Sequence, residues 1–196
     1  MGKKIVDNIY EIASVIMTSI IAVALVFIFA FRLVGVSGES MNPTLLSGDW
    51  LITTTFNTSY EYEDIVIVVQ PGALDEPIVK RVIATEYQWV DVDYDEGVVY
   101  VGDSLDNMQA LDEPYIAEPA SSRPSTDTNE YPIQVPEGCL FVMGDNRNNS
   151  TDSRSYLVGF IDERYVLGKA VVRAMAVDYN DGTPRLNTDR FSIYDY

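Results

Sequence analysis

The sequence predicts a mainly β protein: an antiparallel β-sheet core with a small inserted lobe, preceded by one N-terminal transmembrane helix. Three observations predict it. Ile12 to Phe31 runs without a charged residue. After residue 35 the apolar pattern shortens to β-type runs broken by Gly, Pro and Asp turns. A polar stretch rich in Pro, Ser and Thr, Ala117 to Glu130, interrupts those runs and reads as an exposed excursion.

The apolar run is long enough for an anchor, since about 20 helical residues at roughly 1.5 Å each cross a ~30 Å hydrocarbon layer. Ser14, Thr18 and Ser19 can bond back to the helix without spoiling it. A cleavable leader would carry a shorter apolar stretch, about 7–15 residues, ending at an Ala-x-Ala-like site. Here the run leads into Phe31-Arg32-Leu33-Val34 instead. Lys3 and Lys4 precede it and Arg32 follows, so the positive-inside bias is one charge. The expected layout is a cytoplasmic N-terminus at 1–11, an anchor at 12–31 and an extracytoplasmic body at 35–196.

In the body, Trp50–Thr55 follows a Gly48-Asp49 turn, and Asp64 leads into Ile65–Val69, closed by Pro71-Gly72. Strands are then expected over Ile78–Thr85, Tyr87–Val92, Val98–Val101, Cys139–Met143 and Leu167–Val177, with a hairpin at Glu96-Gly97. Asp91, Asp93 and Asp95 alternate as the solvated face of a strand. A short helical turn fits Asp162–Tyr165. Residues from about 86 to 135 read as an insertion between two halves of the core, forming a lobe of their own.

Composition excludes several classes of function. The 196 residues carry a net charge of −17. Three cations against two anions leave the first 35 residues at +1, and the rest at −18. No basic stripe exists to neutralise phosphates, so nucleic acid is not an expected partner. Cys139 is the single cysteine and histidine is absent. A disulfide within the chain and Cys- or His-rich metal sites are therefore ruled out, and no cofactor or metal is expected.

Without histidine, a serine nucleophile needs another base. Ser40 lies in Gly38-Glu39-Ser40-Met41-Asn42-Pro43-Thr44-Leu45, directly after the anchor. Pro43 fixes φ and Gly38 permits unusual backbone angles, so Ser40 is expected on a tight turn. Alone, a serine before proline is an ordinary turn residue. Lys80 shares a strand face with Ile78 and Val82, and burial of that face would disfavour its ammonium. A third segment, Gly144-Asp145-Asn146-Arg147-Asn148-Asn149-Ser150-Thr151-Asp152-Ser153-Arg154, packs hydroxyls, carboxylates and two arginines into one loop after an apolar strand. Its bland reading is a solvated turn with surface ion pairs.

Together with the anchor, these segments resemble the type I signal peptidases, membrane-bound Ser–Lys endopeptidases that remove signal peptides. The resemblance rests on Ser40-Met41-Asn42-Pro43-Thr44, Gly48-Asp49, Lys80-Arg81-Val82 and Gly144 through Arg154, in the family's order. Val98–Val101, Glu113-Pro114-Tyr115 and Val135-Pro136-Glu137-Gly138 look similar with less specificity. It implies Ser40 as nucleophile and Lys80 as general base. Ser150 would orient the lysine amine, with Asp145, Arg147, Asp152 and Arg154 supporting the loop and the Ser40 N–H holding the oxyanion. Met41 and Ile78 would contact substrate. Gly38 stands where some members carry a serine that supplies a second oxyanion donor, as in single-anchor Gram-positive-type members, so that donor must be backbone or water. Exported preproteins with small residues at −1 and −3, membrane lipid and the secretion translocon are the implied partners. A non-cleaving alternative, an anchored β-domain that binds peptides by strand addition, has the same composition. The self-cleaving Ser–Lys repressors, similar in their catalytic core, need a DNA-binding module where this chain has its membrane helix.

Overall fold

A computed structural model describes residues 2–56, 59–72, 76–180 and 183–194. Helix α1 (Gly2–Ala30) contains an apolar stretch, Asn8–Ala30, long enough to cross a bilayer and exposed along its length up to Ala30, which is buried. Thr18 and Ser19 return their hydroxyls to the carbonyls of Ser14 and Val15, as expected. The helix ends where the body captures its last carbonyls. The Thr55 hydroxyl bonds Phe29 O and the Thr55 N–H bonds Ala30 O, both at 3.3 Å.

Phe31 therefore leaves the helix. β1 (Phe31–Gly35) pairs antiparallel with β2 (Trp50–Thr54) along its whole length, so the body begins at Phe31 and not at 35. The remaining strands are β3 (Ile65–Val68), β4 (Ile78–Ala84), β5 (Trp89–Asp93), β6 (Val98–Gly102), β7 (Gln109–Ala110), β8 (Ile133–Gln134), β9 (Cys139–Met143), β10 (Ile161–Asp162), β11 (Val166–Asn180), β12 (Thr183–Asn187) and β13 (Ser192–Ile193). A one-turn 3₁₀ helix at Glu163–Tyr165 falls where the helical turn was expected.

The main sheet runs β1-β2-β11-β3-β4-β9-β10, with β12 and β13 added along β11, and all of its ladders are antiparallel. β11 pairs first with β3 and then with β2, crossing register shifts that bend it. The expected lobe is a second sheet, β7-β6-β5-β8. In β5, Val90 and Val92 turn inward while Asp91 and Asp93 face out, and Asp93 Oδ1 caps the following turn through the N–H groups of Asp95 and Glu96.

β9 joins the two sheets. Its apolar run is buried on both faces: Phe141 and Met143 pack with the lobe residues Val90, Val92 and Val99, while Leu140 and Val142 pack with Val66, Val68 and Val82. A third cluster, Val36, Met41, Leu45, Leu51, Ile65 and Ala170, lies under the Ser40 turn. Each fully buried aliphatic side chain contributes about 1.5–3 kcal/mol, so this floor holds the turn firmly. The excursion at 117–130 departs from expectation. Ala120 and Asp127 are buried, and the segment lies along the 144–156 loop, through Thr126 O to Tyr156 N at 2.9 Å and Asn129 Nδ2 to Arg154 O at 3.1 Å.

Candidate active site

The Ser40 turn is a loop closed at its base and pinned from beneath. Val36 and Asp49 close it through Val36 N to Asp49 O, and Gly48 N bonds Val36 O, each at 2.8 Å. Met41 and Leu45 plug into the core below. Gly38 has φ of +91°, a left-handed conformation that disfavours other residues, and it lets the chain reverse just before Ser40. The buried Asp49 carboxylate accepts from Leu46 N, Val177 N and Arg190, tying the turn to β11 and the C-terminal segment.

Lys80 approaches from β4. Its register partner Val66 and its same-face neighbour Val82 are fully buried, and only 2% of Lys80 itself is exposed. The amine donates to Ser40 Oγ at 2.7 Å and to its neighbour's carbonyl, Val79 O, at 2.8 Å. Among the described residues no carboxylate lies within ion-pair distance of it. Burial lowers its pKa to about 8, outweighing the pull of Asp152 and Asp145 toward the charged form, and Arg154 pushes it the same way as burial. This pair can pass a proton from hydroxyl to amine.

The 144–154 loop is no solvated turn. Gly144 is where it touches the serine: a Cβ there would come within 2.4 Å of Ser40 O and 2.3 Å of Ser150 Oγ, so only glycine fits. Asn146 grips the turn through its N–H to Ser40 O (3.0 Å) and its Nδ2 to Glu39 O (3.1 Å). Asp152 receives Arg154 in two bonds of 2.9 Å and the Gly144 N–H at 3.0 Å. Burial opposes its charge, but Arg154 holds the carboxyl below its ordinary range. Arg147 pairs with Glu113 and bonds Gly144 O, while Arg154 Nη2 bonds Arg147 O at 2.7 Å. Ser150 Oγ is buried beside Gly144 and has no hydrogen-bond partner among the described residues.

Four contributors were not singled out from sequence. Arg81 holds Asp145 in two bonds of 2.8 and 2.6 Å, bonds Glu63 O, and stacks 3.9 Å from the Tyr115 ring centre. Tyr115 in turn donates to Glu113 Oε1. Thus the Glu113-Pro114-Tyr115 segment, noticed only as a weak likeness, braces both arginines. Asn146 looked like any turn asparagine, and no sequence signal separated it from Asn148 or Asn149.

A cleft of about 350 Å³ opens beside the dyad, lined by Val34–Gly38 on one wall and Ile78–Lys80 on the other, with Ser40, Met41 and Ile67 at its floor and end. Both expected substrate contacts, Met41 and Ile78, line it. Among the described residues β9 pairs β4 only from Arg81 onward, leaving the outer edge of Ile78–Lys80 unpaired, and β1 pairs only with β2. Two open strand edges thus face one cleft. Among the described residues no group of three or more Cys, Asp and Glu is arranged to hold a metal.

Comparison with known proteins shows the family of the chain. The profile of the family described as "Signal peptidase, peptidase S26" matches residues 9–175. The chain is 36% identical over 150 residues to the probable signal peptidase I-1 of Synechocystis sp., covering 70% of this chain and 68% of that protein. Against signal peptidase I of Bacillus licheniformis it is 32% identical over 169 residues, covering 83% and 86%. Against signal peptidase I S of Bacillus subtilis the identity is 31% over 170 residues, covering 82% and 86%.

Proposed function

The chain belongs to the signal peptidase family, peptidase S26, and from that premise we propose that it removes signal peptides from exported preproteins with Ser40 as nucleophile and Lys80 as base. The observation that carries the reading is the 2.7 Å bond between a buried amine, its pKa drawn down to about 8, and the Ser40 hydroxyl. Neutral Lys80 takes the Ser40 proton as Oγ attacks the scissile carbonyl. The Ser40 N–H, which no acceptor takes among the described residues, supports the oxyanion. Protonated Lys80 then returns its proton to the leaving nitrogen, and water later hydrolyses the acyl-enzyme. Asp145, Arg147, Asp152 and Arg154 position the loop that carries Ser150 against the Ser40 turn.

The substrate enters the 350 Å³ cleft as an added strand between the open edges of β1 and Ile78–Lys80. The apolar floor at Met41 favours small side chains at −1 and −3. The helix sits in lipid with the N-terminus cytoplasmic and the body extracytoplasmic, beside the secretion translocon. The non-cleaving alternative is disfavoured, because it gives no reason to bury a lysine against a serine. The test is purified full-length protein in detergent micelles with a peptide bearing Ala at −1 and −3. A single cut that disappears in Ser40→Ala supports the reading, and binding without cleavage by the folded wild type sinks it.

A further inference from the structure

A second cleft, of about 230 Å³, adjoins the Ser40 turn and shares no lining residue with the first; it is lined by Asn42, Pro43, Ala117, Glu118 and the 145–147 segment. Its position follows from the turn itself. A chain whose acyl half fills the first cleft passes Ser40, and the cleft lined by Asn42 and Asn146 is open to the residues that follow. Asn146, which lines the cleft, binds Ser40 O directly at 3.0 Å, so the cleft adjoins the turn that carries the nucleophile.

The charge lining the cleft can be assigned group by group. Asp145 is neutralised by Arg81 and Arg147 by Glu113, each through two bonds. Glu118 is exposed and has no ion pair among the described residues. Its wall is nonetheless fixed, because Asn148 accepts from Ser121 N at 3.0 Å and donates to Pro119 O at 3.0 Å. The free charge on a held wall is therefore negative. The chemistry delivers the opposite sign to this place. As the Ser40 Oγ–C bond forms and the C–N bond breaks, Lys80 returns the serine proton to the leaving nitrogen. The new α-amine then takes a further proton from water at neutral pH, since its pKa is about 8.

Resting on the peptidase reading above, we infer that this second cleft receives the first residues of the released chain, with Glu118 as a specificity-determining residue that favours positive charge there. Glu118 touches no reacting atom, so its effect belongs to binding and release, and its exposure keeps that effect small and salt-sensitive.

The test uses full-length protein in detergent micelles and three peptides identical except for Lys, Ala or Glu at the second position after the cut. At low ionic strength the Lys peptide should exceed the Glu peptide in kcat/KM by about three- to fivefold, falling toward parity in about 1 M salt. Glu118→Gln should abolish the ratio, while Glu130→Gln, an equal change in net charge outside the cleft, should keep it. Equal rates for all three peptides, or a ratio that survives Glu118→Gln, overturn the inference and leave the peptidase reading standing. Failure of the wild type to cut even the Ala peptide would sink the peptidase reading itself.

Discussion

Two lysines flank Val66 on neighbouring strands, and they have opposite surroundings. Lys80 on β4 and Lys169 on β11 are both register partners of Val66. They are similarly buried, with 2% and 9% of each exposed. Lys169 ends 2.7 Å from the Asp64 carboxylate. Lys80 ends on a serine hydroxyl and a carbonyl. Burial alone thus does not make a base. For Lys80, burial without a bonded carboxylate draws the pKa down to about 8. The same sheet, one strand apart, holds a lysine on a carboxylate and a lysine on a serine hydroxyl.

The largest expected effect breaks the chemical side of that contrast. Ser40→Ala and Lys80→Met should each lower kcat/KM by at least about 10³-fold, because nucleophile and base act as a unit. Both variants should keep a cooperative unfolding transition. More than a few per cent of wild-type turnover in either would undo the assignment.

Breaking the structural side should do the reverse. Lys169→Met strands a buried Asp64 carboxylate and should cost about 3–5 kcal/mol of stability. Its folded fraction should retain kcat/KM within about threefold, read by denaturant titration beside active-site-normalised kinetics.

A third prediction sharpens the contrast through pH. The Lys80 pKa is about 8 in the folded protein against 10.5 ordinarily, so between those values the unfolded chain keeps a proton that the native amine has lost. Native stability from this group therefore rises as pH climbs from about 8 to 10.5, and it is lost on descending that window. The full swing is about 3 kcal/mol. Lys80→Met should remove it, so the variant should be more stable than wild type at pH 7 and equal to it near pH 10.5. A pH-independent stability difference would contradict the depressed amine. The smallest effect is electrostatic tuning. Asp152 favours the charged form of Lys80, so Asp152→Asn should move the alkaline-going rise in activity to lower pH in whatever fraction folds.

Much of this was legible in the sequence because the signals were local. An uncharged run, alternation in β5 and a five-residue apolar strand at β9 each follow from near neighbours, as does the environment of Lys80 between Ile78 and Val82. β1 was hidden because Phe31-Arg32-Leu33-Val34-Gly35 continues the anchor's apolar character, and only pairing with Trp50–Thr54 makes it a strand. β12 and β13 lack alternation and exist as additions to β11. The excursion read as solvated because its composition is polar. Asp127 is buried there by the hydroxyls of Tyr94 and Tyr131, one of them 33 residues away. Likewise the Lys169–Asp64 pair joins strands whose adjacency no local pattern encodes. Ser150 shows the remaining gap: its presence in the loop was readable, but its burial beside Gly144 depends on the close approach of Gly144 to Ser40 and Ser150, which no local pattern encodes.

The central claim is that Lys80 is neutral when it works, and the pH dependence of kcat/KM tests it most directly. No histidine exists to imitate the titration. Burial pushes the Cys139 thiol up from its ordinary value, away from neutrality, and Cys139→Ala removes it from consideration altogether. With full-length Cys139→Ala protein, an acetylated N-terminus and a peptide lacking titratable groups, kcat/KM should rise tenfold per pH unit and level off above about pH 8. A profile flat from about pH 6 to 10 would mean that no group with the Lys80 pKa controls the reaction, and the account would fall.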